Sequence, residues 1–129
     1  MSEAGYLLDA SAVLAIIYGE PGAERVAGVL SDASISAVNL SEVVSKLHDR
    51  KVSERDIELN LADLDLAVLP FDRTFALRAG ALRPATRHLG LSLGDRACLA
   101  TAAATGRVVL TADRAWADLQ LGISVELLR

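Results

Sequence analysis

Short apolar runs that stop abruptly, each followed by a stretch of helical period, recur from one end of the chain to the other. Residues 6–8 (Tyr-Leu-Leu) follow Gly5 and read as a strand that ends at Asp9. Residues 10–18 then read as a helix, and Gly19-Glu20-Pro21-Gly22 stops it. A second helix is expected over 23–30 and a buried strand over 34–36. A third helix is expected over 39–50, with Leu40, Val43, Val44 and Leu47 on one face. Residues 53–65 form another, N-capped by Ser53. Residues 67–69 make a strand closed by Pro70. A long helical stretch over 74–89 must be kinked or interrupted at Pro84 and ends at Gly90. Ser92 opens a very apolar helix that runs to Thr105, and Gly106 stops it. A strand over 107–110, a short helix over 114–119 and a strand over 123–125 complete the pattern. The strands thus alternate with helices throughout. They point to a mostly parallel sheet with helices on both faces.

The 129 residues suit one domain over 1–129, and no repeat, linker or low-complexity segment divides them. Hydrophobic residues make up 52% but aromatics only 4%, so Leu, Val, Ile and Ala must fill the core. Cys98 is the only cysteine, which rules out an internal disulfide and suits a reducing compartment. The start, Met1-Ser2-Glu3-Ala4, is acidic where a signal peptide is basic. The longest apolar run, 97–105, is too short to span a bilayer. A cytoplasmic protein without membrane contact is expected. The net charge of −4 argues against a generic nucleic-acid binder, although a bound divalent ion would reverse the local sign.

Four carboxylates fall where such a sheet gathers its functional groups. Asp9 ends the first strand, Glu42 and Asp95 sit in the first turns of two helices, and Asp113 follows the strand ending at Leu110. Strand C-termini and helix N-termini share one edge of a parallel sheet, and ligands bind there near the switch point of the strand order. Each acid also has a plain structural reading. Asp9 and Asp113 can cap the helices that follow them, and Asn39 with Glu42, or Ser92 with Asp95, resemble capping boxes. Asp95 fits that reading least well, because Cys98, Leu99 and Ala102 continue its helix face and no charge occurs over 97–105. A carboxylate beside so dry a surface needs a partner, a hydrogen-bond shell or a metal. Gly94 before it permits close approach of another group. Clustered carboxylates repel unless a cation neutralises them, and an oxygen-only set suits Mg²⁺ or Mn²⁺ better than zinc.

The segments carrying these acids are Leu8-Asp9-Ala10-Ser11-Ala12, Asn39-Leu40-Ser41-Glu42-Val43, 91–100 (LSLGDRACLA) and Leu110-Thr111-Ala112-Asp113-Arg114-Ala115-Trp116. In that order and at those separations they resemble the PIN-domain nucleases, and within them the VapC-type toxins of type II toxin–antitoxin pairs. The resemblance covers nearly the whole chain. It implies a three-layer α/β/α sandwich with a five-stranded, mostly parallel sheet and an acidic pocket that binds Mg²⁺ or Mn²⁺. It also implies homodimerisation, RNA cleavage leaving a 5′-phosphate and a 3′-hydroxyl, and an antitoxin partner through which operator DNA is bound indirectly. The family's acids fall on Asp9, Glu42, Asp95 and Asp113. Ser11 and Thr111 match small hydroxyl positions that orient the site, and Asp118 matches a variable fifth acid.

On that reading Asp9, Asp95 and Glu42 hold one ion directly or through water, while Asp113 helps with a second or orients the attacking water. No histidine is needed, and His48 and His88 are expected at the surface. Arg96 and Arg114 directly follow two of the acids and are candidate RNA contacts. Lys46, Arg50 and Lys51 are further candidates. The series Arg73, Arg78, Arg83, Arg87 reads as solvated surface and Trp116 as core. A phosphatase of the haloacid-dehalogenase type would need an acid two residues beyond Asp9, where Ser11 stands. Neither GxGxxG nor GxxxxGK[ST] occurs. A stand-alone RNA-processing nuclease, or a protein acting mainly through its antitoxin complex, is the alternative.

Overall fold

The computed structural model describes residues 5–129; the acidic start, Met1 to Ala4, lies outside them. Its elements are β1 (Tyr6–Leu8), α1 (Ala10–Tyr18), α2 (Ala23–Val29), β2 (Ala33–Ser36), α3 (Ala37–Asp49), α4 (Glu54–Leu64) and β3 (Ala67–Leu69). They continue with α5 (Arg73–Ala81), α6 (Arg83–Thr86), α7 (Leu93–Thr105), β4 (Val108–Thr111) and β5 (Val125–Leu127). Single 3-10 turns cover Leu30–Asp32, Arg87–Leu89 and Arg114–Asp118.

The strands form one sheet in the order β3-β2-β1-β4-β5, and every pair is parallel. Alternation along β1 sends successive side chains to opposite faces. Leu8 packs with Ile35, Leu110, Val13, Val26, Val43, Leu47 and Ile57, so α1–α4 cover that face. Leu7 packs with Val109, Cys98, Leu99, Ala102 and Trp116, so α7 and the last 3-10 turn cover the other. The three layers implied by the resemblance are thus present, with β1 at the centre. The order reverses between β1 and β4, since β2 and β3 extend to one side of β1 and β4 and β5 to the other. That is the switch point, and Asp9 and Asp113 follow its two strands.

Apart from shifts of a single residue, three boundaries differ from the sequence reading. Ser36 ends β2 and also caps α3, its hydroxyl accepting from Val38 N–H, so the helix begins at Ala37 rather than Asn39. Glu42 therefore lies in the second turn, and Asn39 is no N-cap. The stretch over 74–89 breaks at Leu82, because Pro84 is accommodated only in the first turn of a new helix, α6. The last strand is shifted to Val125–Leu127, where the ladder with β4 (Val109 opposite Val125) decides its position.

Candidate metal centre

Asp9 leaves the central strand with extended backbone and caps α1, its carboxylate accepting from Ala12 N–H at 3.0 Å. It is only 6% exposed. Two hydroxyls complete its shell: Ser11 Oγ donates to Oδ1 at 2.6 Å and Thr111 Oγ1 donates to Oδ2 at 2.5 Å. The direction of these bonds is dictated from behind. Ser11 Oγ accepts from Ala112 N–H at 2.9 Å, and Thr111 Oγ1 accepts from Asp113 N–H at 3.0 Å. Each hydroxyl has one proton, and both are spent on Asp9. The shell is neutral throughout, and the one ion pair among the described residues joins Arg25 to Glu126. Burial therefore raises the Asp9 carboxyl above its usual range despite the hydroxyl and Ala12 bonds that lower it; the charge of Asp95 adds to the rise.

Asp95 is half-buried and completes a capping box on α7. Ser92 Oγ accepts from Asp95 N–H at 3.1 Å, and Ser92 N–H donates to Asp95 Oδ2 at 3.0 Å. The plain structural role that Asp95 was expected to resist is thus one it fulfils. Asp95 and Asp113 line one cleft of about 150 Å³, floored by Leu91 and the buried Trp116. Asp113 caps the 3-10 turn through Ala115 N–H. Glu42 accepts from Asn39 Nδ2 at 2.8 Å and lies against Gly94, the residue before Asp95. Cys98, fully buried on α7, is pushed well above the usual thiol range by burial and then by the charges of Asp9, Asp95 and Glu42. Asp9 after β1, Glu42 on α3 and Asp95 on α7 thus all act on Cys98, although Glu42 lines a separate cavity with Ser41, Lys46 and Gly94 rather than the Asp95–Asp113 cleft.

The other candidates separate. Asp118 lines an adjoining cavity of about 310 Å³ with His88, and Leu89 and Leu119 line both it and the Asp95–Asp113 cleft. Arg96 turns toward α5 and donates to Ala79 carbonyl at 3.3 Å. Arg114 donates to the Arg129 carbonyl at 2.7 Å. His48 and His88 are exposed, as expected. Sequence reasoning gave Asn39 a capping role and missed its actual one: its amide spans Glu42 and the Gly94 carbonyl, joining α3 to α7. The three-residue spacing to Glu42 carried that signal.

The donors suit a hard dication in kind: they are all carboxylate and hydroxyl oxygens, and the most buried of them has no cationic neighbour. Among the described residues no three stand ready as direct ligands. Mg²⁺ commonly keeps several waters and takes only one or two carboxylates, so the set fits a hydrated ion.

A family model for the PIN domain matches residues 6–120. The chain belongs to the PIN domain family. PIN domains are in general divalent-metal-dependent nucleases. Solved structures share the fold over almost the full length. The DNA-bound VapBC of Salmonella typhimurium matches with a TM-score of 0.70 at 24% identity, covering 97% of this chain and 98% of that one. A toxin–antitoxin complex from Klebsiella pneumoniae matches with a TM-score of 0.73 at 19% identity, covering 96% and 98%. VapBC-5 of Mycobacterium tuberculosis matches with a TM-score of 0.59 at 23% identity, covering 98% of each. At these identities the likeness is one of fold. No curated protein sequence matches. No helix among the described residues is long and apolar enough to cross a membrane.

Proposed function

We propose that this PIN domain, a single unit over residues 1–129, is a metal-dependent endoribonuclease and the toxin of a type II toxin–antitoxin pair. The observation that carries the reading is Asp9: a buried carboxylate at the switch point, fixed by three donors, without a cation, under the charge of Asp95 and joined through Thr111 to Asp113. Asp9, Asp95 and Glu42 would hold one Mg²⁺ or Mn²⁺, directly or through water, and Asp113 would serve a second ion or orient the attacking water. A bound divalent ion supplies a more acidic water and stabilises charge on phosphate oxygens. The chain's own part is positional. The Ser11 and Thr111 bonds favour the ionised form of Asp9 and hold it in one orientation, and Leu91 and Trp116 give the cleft an apolar side. RNA is the substrate class the family resemblance supplies. Arg114, exposed beside Asp113, remains a candidate phosphate contact, whereas the bond of Arg96 to α5 makes it a weaker one.

The toxin reading rests on the likeness to chains solved within VapBC complexes. A cognate antitoxin, a homodimer, operator DNA held only through the antitoxin and a cytoplasmic location follow from it. The test is cleavage of labelled single-stranded RNA with Mg²⁺ or Mn²⁺, with EDTA, and by Asp9→Asn. Cleavage should need metal and disappear in the variant, which keeps the helix cap because asparagine caps as well as aspartate. Equal cleavage by both proteins would overturn the assignment. Expression of the wild type should arrest growth and that of Asp9→Asn should not; growth unaffected by an active nuclease would favour a stand-alone RNA-processing role.

A further inference from the structure

Gly94 is a helical glycine with ordinary backbone angles, so conformational freedom does not explain it. Space does. A methyl carbon at position 94 would lie 2.5 Å from Cδ and 2.8 Å from Oε2 of Glu42. The Glu42 carboxylate occupies the place where any other residue would put its side chain. Asn39 secures that seat from the α3 side. It is 2% exposed, and its Nδ2 donates both to Glu42 Oε1 and, at 3.1 Å, to Gly94 carbonyl. Its Oδ1 is buried without a partner. The reverse orientation of the amide would set Oδ1 against two acceptors, so both donor bonds hold Asn39 as it stands, at the expense of an orphaned oxygen.

We infer that Gly94 and Asn39 are positioning residues that seat the Glu42 carboxylate against the first turn of α7, the turn that carries Asp95, for the divalent ion. The inference rests on the proposed metal centre and adds how one of its acids is aimed. An alanine at 94 displaces only the free end of a flexible side chain, so the fold survives. Helix propensity by itself favours alanine over glycine. The cost falls on ion binding instead.

The experiment measures Mn²⁺ affinity by electron paramagnetic resonance, with circular dichroism as the control for folding. The proteins are wild type, Gly94→Ala, Asn39→Ala, Glu42→Ala and the two doubles with Glu42→Ala. Both single changes should weaken Mn²⁺ binding about tenfold, in the range seen when groups that orient a ligand are removed. Neither should weaken it further once Glu42 is gone, because no carboxylate is left to misplace. Wild-type affinity in Gly94→Ala, or losses that multiply in the doubles, would overturn the inference; so would wild-type affinity in Glu42→Ala. Asp9→Asn separates the two levels: if it alone abolishes Mn²⁺ binding, the metal centre stands and only the seating of Glu42 fails. If it too binds Mn²⁺ normally, the centre itself is misassigned. Should Gly94→Ala not fold, the Asn39→Ala pair decides.

Discussion

Asp9 concentrates the tension of the molecule in one side chain. Its hydrogen-bond partners are all neutral donors, and they do not fully offset the loss of water. Removing one hydroxyl, by Ser11→Ala or Thr111→Val, should weaken metal binding or cleavage about 10- to 100-fold, measured by titration of Mn²⁺ and by RNA turnover. The pH dependence has a definite sign. Folding raises the Asp9 pKa above its ordinary 3.8, so the folded state holds this proton more tightly than the unfolded chain. The contribution is intact below 3.8 and is lost as pH rises through the elevated value. In metal-free buffer the wild type should therefore lose stability relative to Asp9→Asn as pH rises from 4 toward neutral, whatever the variant loses by setting an amide donor against one of the two hydroxyls. Urea unfolding of the two proteins across that range checks it, and a stability difference that does not change with pH would refute it. Added Mg²⁺ should stabilise the wild type and leave the variant unmoved.

At the scale of elements, α7 joins two tasks. Its first turn is closed by the Ser92–Asp95 capping box, and the same carboxylate borders the acidic cleft. Ser92→Ala should cost about 1 kcal/mol of stability by thermal unfolding, as loss of an N-cap does. The helix was legible in the sequence because Ser92, the apolar run and Gly106 punctuate it. The parallel sheet was legible in the alternation of short strands with helices, and Asp9 in its place at a strand end. The start of α3 was not, because Ser36 serves strand and helix at once and leaves no loop to mark the junction. Gly94 was readable as a point of close approach, but what approaches it comes from residue 42, a long-range contact that local patterning does not carry. The same holds for Arg96, whose turn toward Ala79 depends on how α5 lies against α7. β5 slipped by two residues because a three-residue edge strand takes its position from its partner.

In the whole molecule, the reversal of strand order beside β1 brings residues 9 and 113 to one edge although 104 positions separate them. As a homodimer the protein should sediment at twice 13.6 kDa; a strict monomer at micromolar concentration would count against the toxin assembly. Leu77, Leu89 and Leu93 are each more than two-fifths exposed, apolar surface that a partner chain would remove from water. Beneath the acids lies Cys98, the chain's single sulfhydryl, with no exposed surface. Thiol-directed modification of this protein therefore has only one address, and it is shut whenever the layers are closed. A thiol reagent should leave the native chain untouched and label it once per molecule in denaturant. Between those limits the labelling rate becomes a clock for how often the space under the carboxylates opens.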